Sequence, residues 1–263
     1  MRWLFLPLVA LAACRTTTLP APPPVAAWEV PILLEPGSRP LVQVTVGSTP
    51  TRFVVDTGAS ETVLYAWFAK SIGADHELQL QVGTNALDSK VWPVVDAPAG
   101  LEALGIGGVL SPQQAATKGA IVLDFPHKRL VAVGEKLNTW LRWLDERSPK
   151  GTTESLPRVG PRDGKLYVMS RVGDGKEVVT QLDTGSLTTE FATSIFDPSL
   201  LTGKPLEGLH VRLGDSDFGP LSVTTQPTPG GAEGKLGLDV LAGVVVLVPI
   251  VGYQALWVMT PRE

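Results

Sequence analysis

The 263-residue chain is poor in several side chains on which enzymes and binding proteins depend. It has one cysteine, so an internal disulfide is impossible and zinc sites with two or four cysteines are excluded. With only three histidines, catalysis centred on histidine is poorly supplied. Charged residues make up 18% of the chain and the formal net charge is −4, so the chain lacks the excess of positive charge that is typical of nucleic-acid-binding proteins.

Apolar residues and turn-forming residues are abundant instead. Hydrophobic residues make up 44% of the chain, which is enough for a core and argues against intrinsic disorder. The 27 glycines and 23 prolines favour many short strands and turns over long helices. The length allows one large domain or two modest ones.

The N-terminus has the pattern of an exported lipoprotein. Arg2 precedes an apolar run, Trp3 to Leu11, that is too short for a stable membrane-spanning helix. The next residues, up to Cys14, resemble the bacterial lipobox, in which cleavage precedes a cysteine that is then lipidated. We therefore expect a signal peptide over residues 1–13 and a lipid anchor on Cys14, with an ordinary secretory signal as the alternative.

A tether and lead-in, residues 14–39, would follow this anchor. The anchor would hold the protein at the bacterial cell envelope, at the outer membrane and facing the periplasm. A membrane would therefore be one of its partners.

The main signal is an internal repeat. The segment from Leu41 reads LVQVTVGSTPTRFVVDTGASETVL, and the segment from Leu166 reads LYVMSRVGDGKEVVTQLDTGSLTTEF. Each has an alternating strand, a Val-Gly turn, a second strand and then Asp-Thr-Gly. Gly108–Ser111 and Gly234–Gly237 form a second matched element downstream. Because the two aspartates lie 127 positions apart, the repeat has the size of a small domain rather than of a solenoid unit.

These motifs resemble the pepsin/retropepsin-like aspartic proteases of the bacterial two-lobe type. The resemblance implies an all-β fold of two similar β-barrel lobes, related by pseudo-two-fold symmetry, with an active cleft between them. The lobes would span residues 40–134 and 164–263, and residues 135–163 would form a connector. Since both lobes belong to one chain, we expect a monomer.

The chemistry of two adjacent carboxyls agrees with this resemblance. Two such groups cannot both ionise cheaply, so one proton is shared between them. Asp56 and Asp183 are the expected catalytic pair, one acting as general base on a water and the other as acid toward a peptide substrate. No metal or organic cofactor is expected. The residues expected to support the two loops are Thr57, Gly58, Thr184, Gly185 and Ser186.

The supporting residues have separate expected roles. The glycines allow a tight turn. By resemblance, the threonines would hydrogen-bond across the lobe interface. Ser186 stands where the first lobe has Ala59, so its hydroxyl is expected to donate to Asp183 and favour the ionised form of that carboxyl.

Several departures from the family pattern keep other functions open. Ser111 replaces a glycine, Lys235 replaces an apolar residue, and Gln181 interrupts the apolar pair before the second aspartate. The candidate flap, Leu78 to Val95, is short. The alternatives are a weak or inactive lipoprotein that binds peptides or an envelope partner in the cleft, and a β-rich structural lipoprotein in which both Asp-Thr-Gly copies are only turns.

Three further segments have patterns that predict their structure. Lys136 to Glu146 has apolar residues at helical spacing and predicts an amphipathic connector helix, docked on a lobe or available to a partner. Arg147 to Arg162 is expected to be a loop. Val244 to Val251 predicts a buried strand that bends or ends near Pro249.

Overall fold

The fold is seen in a computed structural model, which describes residues 26–115, 118–134, 137–147, 153–159, 163–227, 232–250 and 255–259. The predicted signal peptide and Cys14 lie outside the described residues. The described chain is mostly β, which confirms the all-β prediction. Its strands form two lobe sheets and a third sheet that both halves of the chain build together.

The first half of the chain contributes ten strands and one α-helix within the described residues. They are β1 (Trp28–Pro31), β2 (Leu41–Val46), β3 (Thr49–Val55), β4 (Val63–Tyr65), α1 (Ala66–Ile72), β5 (Leu80–Val82), β6 (Asn85–Ala86), β7 (Val94–Val95), β8 (Ile106–Leu110), β9 (Ala120–Asp124) and β10 (Arg129–Ala132).

The remaining elements come from the rest of the described chain. They are α2 (Leu137–Arg147), β11 (Thr153–Pro157), β12 (Tyr167–Val172), β13 (Lys176–Leu182), β14 (Glu190–Ala192), β15 (Leu206–Leu213), β16 (Ser216–Gln226), β17 (Gly234–Leu236), α3 (Leu238–Leu241), β18 (Val245–Pro249) and β19 (Ala255–Met259).

The two lobes repeat one pairing scheme. In the first lobe, β3 runs parallel to β8, β8 pairs antiparallel with β4, and β4 runs parallel to β7. In the second lobe, β13, β17, β14 and β16 repeat these relations in the same order. The duplicated sequence therefore folds twice into the same local arrangement.

The lobes differ in how far their sheets close. The second lobe forms a closed barrel in the order β12-β13-β17-β14-β16-β15. The first lobe forms a seven-stranded sheet in the order β6-β5-β2-β3-β8-β4-β7. Closure in the second lobe depends on the long hairpin β15–β16, of 8 and 11 residues, whereas β6 and β7 have only two residues each.

A six-stranded sheet joins the two halves, in the order β1-β10-β9-β18-β19-β11. Its centre is the antiparallel pair β9–β18, in which Val122 lies opposite Leu247. Three strands come from each half of the chain, so the pseudo-two-fold axis passes between β9 and β18. This shared sheet fixes the two lobes relative to each other.

The predicted amphipathic helix is confirmed as α2. Leu137 and Trp140 are buried and pack in one cluster with residues of the shared sheet, among them Val122 and Val245. The connector helix therefore docks on the shared sheet.

Other expectations about the connecting segments had mixed outcomes. The strand ending at Pro249 is confirmed as β18. The loop predicted over Arg147 to Arg162 is wrong for Thr153–Pro157, because these residues form β11 and pair with β19. Likewise, β1 lies in the segment expected to be lead-in. No helix in the described parts of the chain has the length and apolarity needed to cross a membrane.

Candidate active site

Asp56 and Asp183 occupy equivalent loops, one at the end of β3 and the other at the end of β13. The backbone N–H of Asp56 donates to the carbonyl of Leu110 at 3.0 Å, and that of Asp183 donates to the carbonyl of Leu236 at 3.0 Å. The second repeat element therefore supports each loop from beneath.

The two aspartate side chains meet between the lobes. Within each loop, the N–H of Gly58 donates to Asp56 Oδ1 at 2.7 Å, and that of Gly185 donates to Asp183 Oδ1 at 3.0 Å. The two carboxyl groups are also close enough to share a hydrogen bond with each other. The structure thus brings together two residues that are 127 positions apart in the sequence.

Their proximity and burial change the acidity of Asp56. Burial is the largest cause and the negative charge of Asp183 is the second, and together they raise the pKa of Asp56 to about 7. The N–H groups of Gly58 and Gly185 oppose this rise because they stabilise the carboxylate. Asp56 therefore keeps its proton below about pH 7, and the pair carries one shared proton.

The threonines that follow the two aspartates lock the loops together. Thr57 Oγ1 accepts the N–H of Thr184 at 3.1 Å, and Thr184 Oγ1 accepts the N–H of Thr57 at 3.0 Å. Each hydroxyl also donates across the interface at 2.7 Å, Thr57 to the carbonyl of Leu182 and Thr184 to that of Val55. Both threonines are buried, so the expected contact between them is present.

The two glycines allow the loops to approach each other. A Cβ atom at Gly58 would lie 2.6 Å from Asp183 Oδ1, and one at Gly185 would collide with the carboxyl of Asp56. Each glycine therefore faces the carboxyl of the opposite lobe. Any larger residue would push the two aspartates apart.

A second matched pair escaped the sequence reasoning. Thr62 and Thr189 lie six residues after the two aspartates and are buried. Thr62 Oγ1 accepts the N–H of Ser111 at 3.1 Å, and Thr189 Oγ1 accepts the N–H of Gly237 at 3.2 Å. An alignment of the two repeats carried to this position would have found them.

The two serines near the loops behave differently from the expectation. The hydroxyl of Ser186 donates to the carbonyl of Thr188 at 3.2 Å, so its single proton is directed away from Asp183. In this arrangement the hydroxyl that was expected to donate to Asp183 donates to Thr188 instead. Ser111 keeps an extended backbone with φ of −75° and donates to the carbonyl of Ala59 at 3.1 Å, so it fits where the family has glycine.

The candidate flap is present as a hairpin but has no free tip. The pairing of Val82 with Asn85 places its turn at Gly83–Thr84. A Cβ atom at Gly83 would lie 2.5 Å from Val30 Cγ1, so the turn packs against β1. A flap needs a tip that can close over the carboxyls. The second-lobe hairpin β15–β16 turns between Leu213 and Ser216.

Further charged and polar residues lie near the pair. Arg39 Nε donates to the carbonyl of Gly185 at 2.7 Å. Burial raises the pKa of Tyr65, an effect that the charge of Arg39 opposes and that of Asp56 reinforces. Lys235 Nζ lies 4.0 Å from Asp183 Oδ2. The sequence reasoning treated Lys235 only as a departure from the family pattern, and it missed Arg39 and Tyr65 because these two lie outside the repeated segments.

No group of three or more metal-binding side chains was found among the described residues.

Comparison with known proteins supports the same fold. A family model described as aspartyl protease matches residues 42–109, which contain the first aspartate loop. The structure is similar to the crystal structure of an aspartic proteinase from Irpex lacteus, with a TM-score of 0.57 and 13% sequence identity. The similarity covers 89% of this chain and 97% of that one. No protein with a curated description matches the chain. The chain has an aspartic-protease fold.

Proposed function

We propose that this protein is an aspartic endopeptidase, in which Asp56 and Asp183 activate a water between them to hydrolyse peptide bonds. The observation that carries the proposal is the pair itself. Two carboxyls from duplicated loops lie close enough to share a hydrogen bond, and the pKa of Asp56 is raised to about 7. Such a pair holds one proton and one negative charge at acid pH, as general acid–base hydrolysis requires.

The two aspartates take different roles in this mechanism. Asp183, as the carboxylate, accepts a proton from the water as its oxygen attacks the carbonyl carbon. Asp56, as the acid, transfers its proton to the carbonyl oxygen, so the resulting intermediate carries two hydroxyl groups on that carbon. Asp183 then passes the proton it took from water to the amide nitrogen, and Asp56 recovers a proton from one of the two hydroxyl groups as the C–N bond breaks. The products are a carboxylic acid and an amine, and the aspartate pair is back in its starting state. No cofactor is needed for this sequence.

The surroundings of the pair support this chemistry. The threonine lock holds both loops through four hydrogen bonds between buried groups, so the carboxyls are positioned before substrate binds. The substrate class that we propose is peptides or unfolded proteins. Since one chain supplies both aspartates, we propose that the protein works as a monomer.

The test is cleavage of a denatured protein at pH 3 to 7. We expect cleavage that pepstatin-type inhibitors block and that Asp56→Asn and Asp183→Asn both abolish. Asp197→Asn removes an exposed carboxyl elsewhere in the second lobe and is the matched control, with cleavage unchanged. Cleavage that survives either active-site substitution would overturn the proposal.

We further propose that Cys14 carries the lipid that anchors the protein in the bacterial envelope, at the outer membrane and facing the periplasm. The support is the sequence pattern up to Cys14. The full-length protein should partition with membranes, whereas Cys14→Ser should appear in the soluble fraction. Equal partitioning of the two proteins would contradict the anchor.

A second function is favoured by the hairpin at Gly83–Thr84. Because its turn packs against β1, this hairpin has no free tip that could close over the carboxyls and exclude water. A cleft of this kind could bind peptides or an envelope partner with little or no hydrolysis. Inhibitor binding by the wild-type protein without cleavage of any denatured substrate would favour this function over the first.

A further inference from the structure

The pseudo-two-fold symmetry of the site is broken at one pair of positions beneath the aspartates. In the first lobe, Val54 on β3 lies beside Val109 on β8. At the equivalent positions of the second lobe, Gln181 on β13 lies beside Lys235 on β17. An apolar pair on one side is therefore replaced by a polar and charged pair on the other. The two carboxyls, alike in their loops, have unlike surroundings.

Lys235 is held between two acidic groups. Its Nζ lies 3.0 Å from Glu190 Oε2 and 4.0 Å from Asp183 Oδ2. The side chains of Lys235, Asp183 and Glu190 are only 16%, 16% and 20% exposed, so water screens these charges weakly. Glu190 also accepts a hydrogen bond from Gln226 Nε2, which fixes its position.

Gln181 completes this polar group. It is buried, and its Nε2 donates to the carbonyl of Gly58 in the opposite loop at 3.4 Å. Its Oε1 has no hydrogen-bond partner within the described chain. The polar residues that depart from the family pattern thus adjoin the second aspartate loop rather than being scattered over the lobe.

A positive charge beside one carboxyl of a pair favours ionisation of that carboxyl. In a symmetric pair, the shared proton would lie equally on either aspartate. A positive charge near Asp183 favours the carboxylate there, so the proton stays on Asp56. We propose that Lys235 is a positioning residue that fixes this assignment, and that Glu190 limits its effect by neutralising part of its charge. This inference rests on the proposed peptidase function.

The other charged groups at the site do not account for the asymmetry. Arg39 donates to the carbonyl of Gly185 on the second loop but also lies within electrostatic range of Tyr65, which in turn lies near Asp56. The hydrogen bond of Arg39 on the second loop thus goes to a backbone carbonyl and not to an aspartate carboxyl. Lys235 is the described cation that pairs directly with one of the two aspartates.

The experiment compares the pH–activity profiles of four proteins. Lys235→Met should move the acid limb upward by roughly half to one pH unit, because the carboxylate loses its nearby positive charge. Glu190→Gln should move the limb downward, because the lysine then acts on Asp183 without competition. The double variant should lie between the two single variants. Opposite shifts of this kind do not arise from a general loss of packing.

The matched control is Lys176→Met, which removes the same charge from the far end of β13. Strand geometry places it about 20 Å from Asp183, so the acid limb should not move. An acid limb that stays in place in Lys235→Met, or that shifts in the same direction in both single variants, would overturn the inference.

A second measurement separates this inference from the proposed function. The lower of the two titration steps of the aspartate pair, followed by carbon-13 NMR of the carboxyl groups, should show the same opposite shifts in the two single variants. This readout needs no catalysis. If the wild-type protein is inactive but the titration steps shift in the two variants, the peptidase function is refuted and the role of Lys235 stands. If the wild-type protein is active but the titration steps do not shift, the role of Lys235 is refuted and the peptidase function stands.

Discussion

Thr57 and Thr184 exchange hydrogen bonds across the lobe interface, each hydroxyl accepting the backbone N–H of the other residue. Neither loop can form this arrangement alone, because every donor in it needs an acceptor from the opposite lobe. The position of each aspartate is therefore set by both halves of the chain.

Removing one of these hydroxyls should destabilise the protein and its site together. In Thr57→Val, the N–H of Thr184 and the carbonyl of Leu182 lose their buried partner, which should lower the free energy of unfolding by about 2–4 kcal/mol. Thr57→Ser keeps the hydroxyl and should lose about 1 kcal/mol, mainly from the missing methyl group. Urea unfolding measures both values, and equal losses in the two variants would contradict the lock.

A methyl group at Gly185 should disrupt the aspartate pair. Its backbone conformation is open to alanine, but the Cβ would collide with the carboxyl of Asp56. We expect Gly185→Ala to reduce kcat by at least about tenfold, because small displacements of catalytic groups are costly. Gly243→Ala is the control, since the nearest atom to its Cβ would be 3.9 Å away. Similar kcat values in the two variants would show that the close approach of Gly185 to the carboxyl of Asp56 is not needed for catalysis.

The raised pKa of Asp56 also predicts how stability depends on pH. The folded state holds the Asp56 proton up to about pH 7, whereas the unfolded chain releases it near the ordinary value of 3.8. Asp56 therefore favours folding at low pH, and this contribution is lost as the pH rises from about 4 to 7.

Asp56→Asn cannot ionise, so its stability should not fall over this range. Relative to wild type, it should gain up to about 4 kcal/mol at pH 8, and the gain should shrink toward pH 4. Thermal unfolding at several pH values tests this. Asp197→Asn should instead lose stability relative to wild type, because the N–H of Ser199 lowers the pKa of Asp197 and so stabilises its ionised form in the folded state. A gain for Asp56→Asn that is the same at pH 4 and pH 8 would rule out the titration of Asp56 as its cause.

Ser186→Ala should leave the acid limb of the pH–activity profile unchanged. The hydroxyl of Ser186 donates to Thr188, so its removal takes no hydrogen bond from Asp183. Side by side with Lys235→Met, this variant separates the two explanations for an ionised Asp183. A rise of the limb in Ser186→Ala would restore the role first expected from the sequence.

The parts of the site that the sequence revealed are those that the duplication repeats. The two Asp-Thr-Gly copies and the elements at Gly108 and Gly234 occur twice, so chance is a poor explanation for them. Lys235, Arg39 and Glu190 occur once each in their roles. Their importance depends on which atoms the fold brings near Asp183, and spacing along the chain does not contain that information.

The errors about connecting segments have a similar cause. Strand β11 is short, ends in Pro157 and has few apolar residues, so its sequence is typical of a loop. It forms because β19 offers an open edge to pair with. The candidate flap has the alternation of a hairpin, but only its contact with Val30 shows that the turn is not free. In both cases, partners distant in the sequence decide the structure.

The shared sheet has a consequence for the protein while it is being made. Strands β18, β19 and β11 come from the second half of the chain, as does Asp183, so a nascent first half holds one carboxyl and three strands of an unfinished sheet. Chemistry that needs both carboxyls cannot begin until the last strands have joined. Under the proposed peptidase mechanism, a first half on its own would therefore be inactive, because it holds only one of the two carboxyls.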